Sequence, residues 1–176
     1  MNRLLSDRPK GFTLLELIVT LAILSILATI AVPSFNNVLK SYKLRTAIFN
    51  LKSHMEIARS SAIKENSLVV MSFNMSDNSY IIFLDNGAGS GTANDWARNG
   101  NEKIIVMTSL PTELKIVSAD FGGNPTVRFN SRGLPSSPGQ VSFVNSDNSR
   151  YMKVTLSIVG RTKIFRSSDN TNWEVL

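Results

Sequence analysis

A long apolar run close to the N-terminus constrains this chain more than any other feature. The 21 residues at positions 12–32 contain a single charged side chain, Glu16. As an α-helix, a run of this length extends for about 32 Å, which matches a bilayer hydrocarbon core of about 30 Å. A carboxylate inside such a segment costs about 2.5–3.5 kcal/mol at mid-bilayer, so Glu16 is expected to have a function. The sequence therefore predicts a transmembrane helix over residues 12–33.

A short polar leader, residues 1–11, precedes the run and ends in Lys10-Gly11. The junction has the sequence GFTLLE, which resembles the prepilin-peptidase site of type IV pilins and pseudopilins. The resemblance implies cleavage between Gly11 and Phe12, N-methylation of the new N-terminal Phe12, and a role for Glu16 in assembly. It also implies three partners, namely prepilin peptidase, other pilin subunits and the inner membrane.

Two ordinary explanations compete with this interpretation. A secretory signal peptide would have an apolar stretch of about 7–15 residues and a small-residue cleavage site, which Thr29-Ile30-Ala31 imitates. The observed run is longer and contains Glu16. A plain membrane anchor would need neither Gly11 nor Glu16.

The charge of the leader predicts the orientation of the membrane segment. Basic residues outnumber acidic ones there, with Arg3, Arg8 and Lys10 against Asp7. The positive-inside rule therefore predicts a cytoplasmic N-terminus and places the remainder of the chain outside, in the periplasm of a Gram-negative cell.

The helical pattern continues beyond the membrane segment. Apolar residues recur at alternating steps of four and three, which is typical of one buried helix face; they are Leu44, Ile48, Leu51, Met55, Ala58 and Ala62. Charged residues lie mostly off this stripe and are predicted to face solvent: Lys40, Lys43, Lys52, Glu56 and Arg59. The sequence predicts an amphipathic half of the helix over residues 34–66, ended by Asn66 in a left-handed conformation.

The rest of the chain, residues 67–176, is expected to form a β-rich head. Short segments rich in β-branched and aromatic residues alternate with turn-forming ones; they are 68–73, 80–84, 104–107, 114–117, 127–129, 141–144, 151–158 and 162–165. Segment 151–158 is predicted to place four apolar residues on one side of the strand: Met152, Val154, Leu156 and Ile158. The predicted class is α+β: a long helical stem on an antiparallel β-sheet or β-sandwich, the pilin-like fold.

Residues that could carry catalytic or metal chemistry are scarce. There is no cysteine, and the single histidine, His54, lies beside the apolar stripe, where a structural role is expected. The Gly/Asn-rich loop at residues 85–101 weakly suggests a calcium loop through Asp85 and Asp95, but it lacks EF-hand spacing. The sequence therefore predicts no enzyme, cofactor or metal site.

Positive charge is concentrated in the last third of the chain. The segment from Lys115 to Arg166 contains eight basic residues and two acidic ones, Asp120 and Asp147, so its net charge is +6. Such an excess favours polyanionic partners. The candidates for contact with DNA are Arg128, Arg132, Arg150, Lys153, Arg161, Lys163 and Arg166.

Two short motifs in this segment resemble the GspH/FimT family of minor pilins. Gly160-Arg161-Thr162-Lys163 is similar to the Gly-Arg-x-Arg motif of the FimT-like branch, whose members bind DNA during natural transformation. The stretch 129–133, FNSRG, resembles a turn of the wider family. Lys163 departs from the motif, because it keeps the charge of arginine but lacks the planar fork that pairs with phosphate.

These observations predict a minor pilin that contacts the DNA backbone without reading sequence and contributes to DNA uptake. Two alternatives stay open. The basic strand could simply guard a sheet edge against aggregation, and the chain could be a GspH-like pseudopilin that only builds a type II secretion filament.

Overall fold

A computed structural model describes residues 11–176 of the chain. Residues 1–10, which make up most of the predicted leader, lie outside the described residues. The chain divides into two compact units, Met1–Leu39 and Lys40–Leu176.

A single helix, α1 (Leu14–Lys64), covers both predicted helical segments except for two residues at each end. It begins two positions later than expected, because Thr13 caps it. The Glu16 carboxylate accepts hydrogen bonds from the backbone N–H of Thr13 (2.9 Å) and from its hydroxyl (3.1 Å). In return, the Glu16 N–H donates to the Thr13 hydroxyl oxygen at 3.2 Å. This reciprocal arrangement is a capping box, and it leaves residues 11–13 outside the helix.

The first part of the helix is suited to a membrane. Leu14–Ala31 is long and apolar enough to cross a bilayer, and it is exposed along its whole length in this unit. Both properties agree with the transmembrane prediction for this stretch.

The helix ends as the sequence predicted. Asn66 adopts a positive φ of 46°. The N–H of Ser67 donates to the Ala62 carbonyl (3.2 Å), and the N–H of Asn66 donates to the Ile63 carbonyl (3.3 Å). These two bonds form a Schellman motif, in which asparagine takes the place usually held by glycine.

The predicted apolar stripe forms one wall of the core. All six of its residues are at most 1% exposed: Leu44, Ile48, Leu51, Met55, Ala58 and Ala62. The prediction for the charged residues needs one correction. Arg59 does not simply face solvent, because its Nε is buried.

Nine strands follow the helix. They are β1 (Leu68–Asn74), β2 (Ser79–Asp85), β3 (Ile104–Ser109), β4 (Leu114–Asp120), β5 (Thr126–Phe129), β6 (Gly139–Asn145), β7 (Tyr151–Leu156), β8 (Thr162–Ser167) and β9 (Glu174–Val175). The first eight coincide with the predicted segments to within three residues at each end. The ninth has only two residues, both exposed, so it carried no detectable pattern.

The strands form two antiparallel sheets. One has the order β3-β2-β1-β5, and the other has the order β4-β6-β7-β8-β9. Buried residues from both sheets join the helix stripe in one core that includes Met71, Phe129, Phe143 and Val154. The structure thus confirms an α+β fold with a helix on antiparallel sheets.

Strand β7 shows the expected alternation except at its end. Met152, Val154 and Leu156 are buried, whereas Ile158 is 56% exposed. The predicted inward position of Ile158 is wrong, because the strand stops at Leu156 and a turn begins at Ser157.

The single histidine lies against the first sheet. His54 Nδ1 is 2.8 Å from the hydroxyl oxygen of Tyr80. Burial lowers the pKa of His54 and raises the pKa of Tyr80 to about 12, so the pair is neutral near pH 7.

We predict that deletion of residues 1–39 leaves a soluble, β-rich unit, because Lys40–Leu176 has its own core. Deletion of residues 1–66 also removes the stripe. Each of its four large side chains contributes about 1.5–3 kcal/mol by burial, and the sum is comparable with the total stability of a domain, about 5–15 kcal/mol. Circular dichroism and sedimentation should therefore show a folded monomer for the first variant and unfolding or aggregation for the second. Equal stability of the two variants would contradict the role given to the stripe.

Candidate nucleic-acid interface

The first element of the candidate site is the turn after β5. The Asn130 side chain organises this turn, since its Oδ1 accepts the N–H groups of Arg132 (2.9 Å) and Leu134 (3.1 Å). Gly133 donates its N–H to the Asn130 carbonyl at 2.8 Å and has a φ of 74°. The turn predicted from FNSRG is therefore present, and it leaves Arg132 exposed.

The second element is the turn that joins β7 to β8. Gly160 donates its N–H to the Ser157 carbonyl at 2.8 Å and has a φ of 78°. The Ser157 hydroxyl oxygen accepts the N–H of Arg161 at 3.0 Å. Gly160 thus occupies a turn as predicted, and Arg161 follows it as an exposed residue just before β8.

The fold brings these two turns together. A Cβ added at Gly160 would lie 3.1 Å from the carbonyl oxygen of Gly133. Arg132 precedes Gly133 and Arg161 follows Gly160 in the sequence. An exposed arginine from each turn therefore lies next to the contact between the two turns.

A third arginine lies at the same contact. A Cβ added at Gly133 would be 3.1 Å from Arg59 Nε, and one added at Gly160 would be 3.4 Å from it. Arg59 Nε is buried and has no hydrogen-bond partner in the described part of the chain. Glu56 lies 3.9 Å from Arg59 Nη1 and also accepts a hydrogen bond from Thr162 (3.1 Å).

Sequence reasoning missed Arg59 because its position beside the stripe suggested a solvated charge. One signal was available: the neighbouring stripe positions are the small residues Ala58 and Ala62. Both are completely buried, which shows that other parts of the chain approach the helix closely here.

Two predicted lysines lie on the outward face of the β7–β8 hairpin. Lys163 is opposite Thr155 and Lys153 is opposite Phe165. Lys163 is exposed. Lys153 Nζ lies 4.1 Å from the Trp173 ring centroid and 5.6 Å from that of Phe165. Burial against these rings lowers the pKa of Lys153. Lys153 is half-buried, so it is less accessible to a ligand than Lys163.

Arg166 and Arg150 are separated from this group. Arg166 lies on the other face of β8 from Lys163, since side chains alternate along a strand. Its Nη2 and Nε are 2.9 and 3.0 Å from Glu174 Oε2, so its charge is already paired. Arg150 is at the opposite end of β7 from Arg161, which lies opposite Ser157; seven residues separate the two positions, about 23 Å along the strand at the usual rise.

Arg128 lies in the other sheet and contacts an aromatic ring. Its Cζ is 4.1 Å from the Trp96 ring centroid. Trp96 has a φ of 68°, a rare conformation for a bulky residue, and it is 40% exposed. No role was predicted for this tryptophan.

Two buried carboxylates hold the loop that carries Trp96. Asp85 accepts the N–H groups of Asn94 (2.6 Å) and Trp96 (3.2 Å). Glu102 accepts those of Gly87 (2.9 Å) and Asn99 (3.0 Å). Both carboxylates are 1% exposed. In this loop Asp85 therefore serves as an acceptor for the backbone.

The fold defines the class of the protein as pilin-like: an apolar N-terminal helix with a helix-covered β head. The profile described as "Type II transport protein GspH" matches residues 47–160, and the profile described as "Prokaryotic N-terminal methylation motif" matches residues 7–32. The chain belongs to the GspH family of minor pilins and pseudopilins. The first match ends just before Arg161.

Known proteins from several bacteria resemble the chain. "Pilin-like protein PilA1" of Thermus thermophilus is 27% identical over 162 residues, which cover 88% of this chain and 97% of that protein. A "Fimbrial protein" of Pseudomonas aeruginosa is 37% identical over 73 residues, or 42% of this chain and 47% of that protein.

Solved structures share the fold. The minor pseudopilin EpsH from the type 2 secretion system of Vibrio cholerae superposes with a TM-score of 0.53 at 13% identity, covering 69% of this chain and 95% of that one. The type IV minor pilin FimU of Pseudomonas aeruginosa superposes with a TM-score of 0.52 at 12% identity, covering 76% and 94%. The architecture is thus common to a secretion pseudopilin and a pilus subunit.

We predict that Gly133→Ala and Gly160→Ala each destabilise the chain lacking residues 1–39. A left-handed conformation costs a non-glycine residue about 1–2 kcal/mol. At both positions the new methyl group would also meet neighbours within 3.1 Å. Gly123→Ala is the control, since Gly123 has a φ of 91° but no atom within 4 Å of its added Cβ. Chemical unfolding should show larger losses at the two turns than at Gly123, and equal losses would contradict the close contact between the turns.

Proposed function

We propose that this chain is a minor pilin whose head binds DNA through its backbone phosphates and contributes to DNA uptake in natural transformation. The observation that carries the proposal is the convergence of two basic turns, one with Arg132 and one with Arg161. Lys163, on the outward face of the β7–β8 hairpin, extends this basic surface. The role proposed for the chain is DNA binding and filament structure, not catalysis.

Recognition through phosphates suits this arrangement. Cations that neutralise phosphates release condensed counterions, and this release supplies affinity without sequence preference. Contacts of this kind position a protein on DNA but do not read bases. Among the seven predicted residues, Arg132, Arg161 and Lys163 form the centre of the proposed interface.

The four other residues have smaller roles in this proposal. Lys153 is held by aromatic rings, and Arg166 is paired with Glu174. Arg150 and Arg128 lie away from the two turns. They would contact DNA only where the duplex extends beyond the central group.

The binding test uses the full chain in a neutral detergent and a fluorescent duplex. If three to five phosphates are neutralised, the log–log salt slope is about −2.7 to −4.5, equivalent to a loss of affinity on the order of 40- to 500-fold between about 50 and 200 mM salt. Replacing Arg161 and Lys163 together with Gln should flatten the slope by about 1.8, while Lys163→Arg should preserve or strengthen binding. Fluorescence anisotropy measures both effects.

The matched control replaces Lys52 and Lys64 with Gln, which changes the net charge equally on the helix. Equal losses from the two double variants would mean diffuse attraction by net charge instead of a site. Absence of binding at low salt would reject DNA as the partner.

A second function has its own support. The match to the GspH profile covers the head up to residue 160 without the Arg161–Lys163 motif. This favours a pseudopilin that builds a type II secretion filament. Deletion of the gene separates the two functions: loss of transformation with normal secretion supports DNA uptake, and the reverse supports the pseudopilin.

The N-terminal segment is proposed to be processed and inserted as the resemblance implies. Prepilin peptidase would cut between Gly11 and Phe12, and the new N-terminus would be methylated. The helix would then cross the inner membrane with its N-terminus in the cytoplasm and the head in the periplasm. The start of helix α1 at Leu14 supports this proposal, because Gly11 and Phe12 both precede the helix.

We predict that Glu16 has two separable functions. Glu16→Gln should keep the cap, since glutamine also serves in a capping box, but should impair assembly by removing the charge proposed to pair with a neighbour's N-terminal amine. Glu16→Ala should lose both. Mass spectrometry should find mature protein starting at Phe12 in either variant, whereas a bulky residue at position 11 should block the cut.

Two results would contradict this account. A mature N-terminus at Val32 would indicate an ordinary signal peptide. Normal filament assembly by Glu16→Gln would show that the charge is not needed.

A further inference from the structure

We propose that Arg59 of helix α1 is the third arginine of a phosphate-binding site, completed by Arg132 and Arg161 at the two glycine turns. The inference rests on the proposed function and adds a residue from a different element, distant in sequence. The ligand is a phosphate oxyanion, either a phosphodiester of DNA or free inorganic phosphate.

The hydrogen-bonding state of Arg59 supports a ligand. A guanidinium carries five N–H donors. Within residues 11–176, the one carboxylate near Arg59 is that of Glu56, at 3.9 Å, which is too long for a hydrogen bond. Arg59 Nε is buried and unpartnered. Buried donors are normally satisfied, so an unpaired one requires an explanation, and a bound anion would supply the missing acceptor.

The surroundings of Arg59 also favour an anion. The side chain is 36% exposed although its Nε is buried, so a ligand from solvent meets the exposed part of the side chain. Glycine at positions 133 and 160 allows the backbone to approach the guanidinium without a side chain between them. Three arginines against Glu56 leave a local charge of +2, and Glu56 also accepts a hydrogen bond from Thr162.

Arginine suits this site better than lysine does. Its planar fork forms two parallel hydrogen bonds with a phosphate, and it stays charged when partly buried. Helix α1 contributes one such fork, and each of the two turns contributes another.

The test compares Arg59→Gln and Arg59→Lys with wild type, using the full chain in neutral detergent and a fluorescent duplex. Arg59→Gln should weaken binding by about threefold to tenfold and flatten the log–log salt slope by about 0.9, the contribution of one phosphate contact. Arg59→Lys should keep the slope. Lys64→Gln, an exposed helix cation with the same charge change, is the control and should have little effect.

A second measurement does not depend on DNA binding. In wild-type protein, the Arg59 Nε–Hε resonance should shift on titration with inorganic phosphate, and Arg59 should shift together with Arg132 and Arg161. Shifts with phosphate but no binding of DNA would retain the anion site and reject the proposed function. If DNA binds but Arg59→Gln behaves as Lys64→Gln does, the function stands and the inference is wrong. A lower melting temperature of Arg59→Gln with an unchanged slope and no phosphate shift would also overturn it, because Arg59 would then only support the turns.

Discussion

The head depends on the burial of one helix face against two sheets. Buried side chains of both sheets join the stripe from Leu44 to Ala62 in one hydrophobic core. The helix also contacts the parts of the head that are proposed to bind DNA. Thr162 at the start of β8 is hydrogen-bonded to Glu56, and the two glycine turns lie against Arg59. The surface proposed to bind DNA is therefore built on the same helix that completes the core.

Local patterns were sufficient to predict most of the fold. The four-and-three spacing of apolar residues identified the buried face, and Asn66 identified the end of the helix. Eight strands followed from β-branched and aromatic residues between turn formers. The errors occur where local signals are weak. Strand β9 has only two residues, and both are exposed. The apolar alternation of β7 extends in the sequence to Ile158, but Ile158 lies in the turn where Gly160 has a positive φ.

The site was less predictable, because its arrangement is tertiary. Sequence showed that the C-terminal third is basic, but it could not show which charges are free. Arg166 is paired with Glu174, and Lys153 lies against Trp173. The approach of the Gly133 turn to the Gly160 turn depends on the placement of two sheets, so Arg59 could not be connected with either turn from local sequence alone. A count of charges is thus a poor guide to a binding surface.

The capping box at the start of α1 has a consequence for polymerisation. The Glu16 carboxylate already accepts two hydrogen bonds from Thr13 within its own subunit. If it pairs with the terminal amine of a neighbour, as proposed, it exchanges its two neutral internal donors for a charged external one, and the loss of the internal hydrogen bonds offsets part of the gain from the ion pair. The cohesion of a filament would then come from apolar contact between helices, while the carboxylate would set the axial register of each subunit. When such a polymer is taken apart, the carboxylate can return to its two internal partners on Thr13, so no polar group is left without a hydrogen bond.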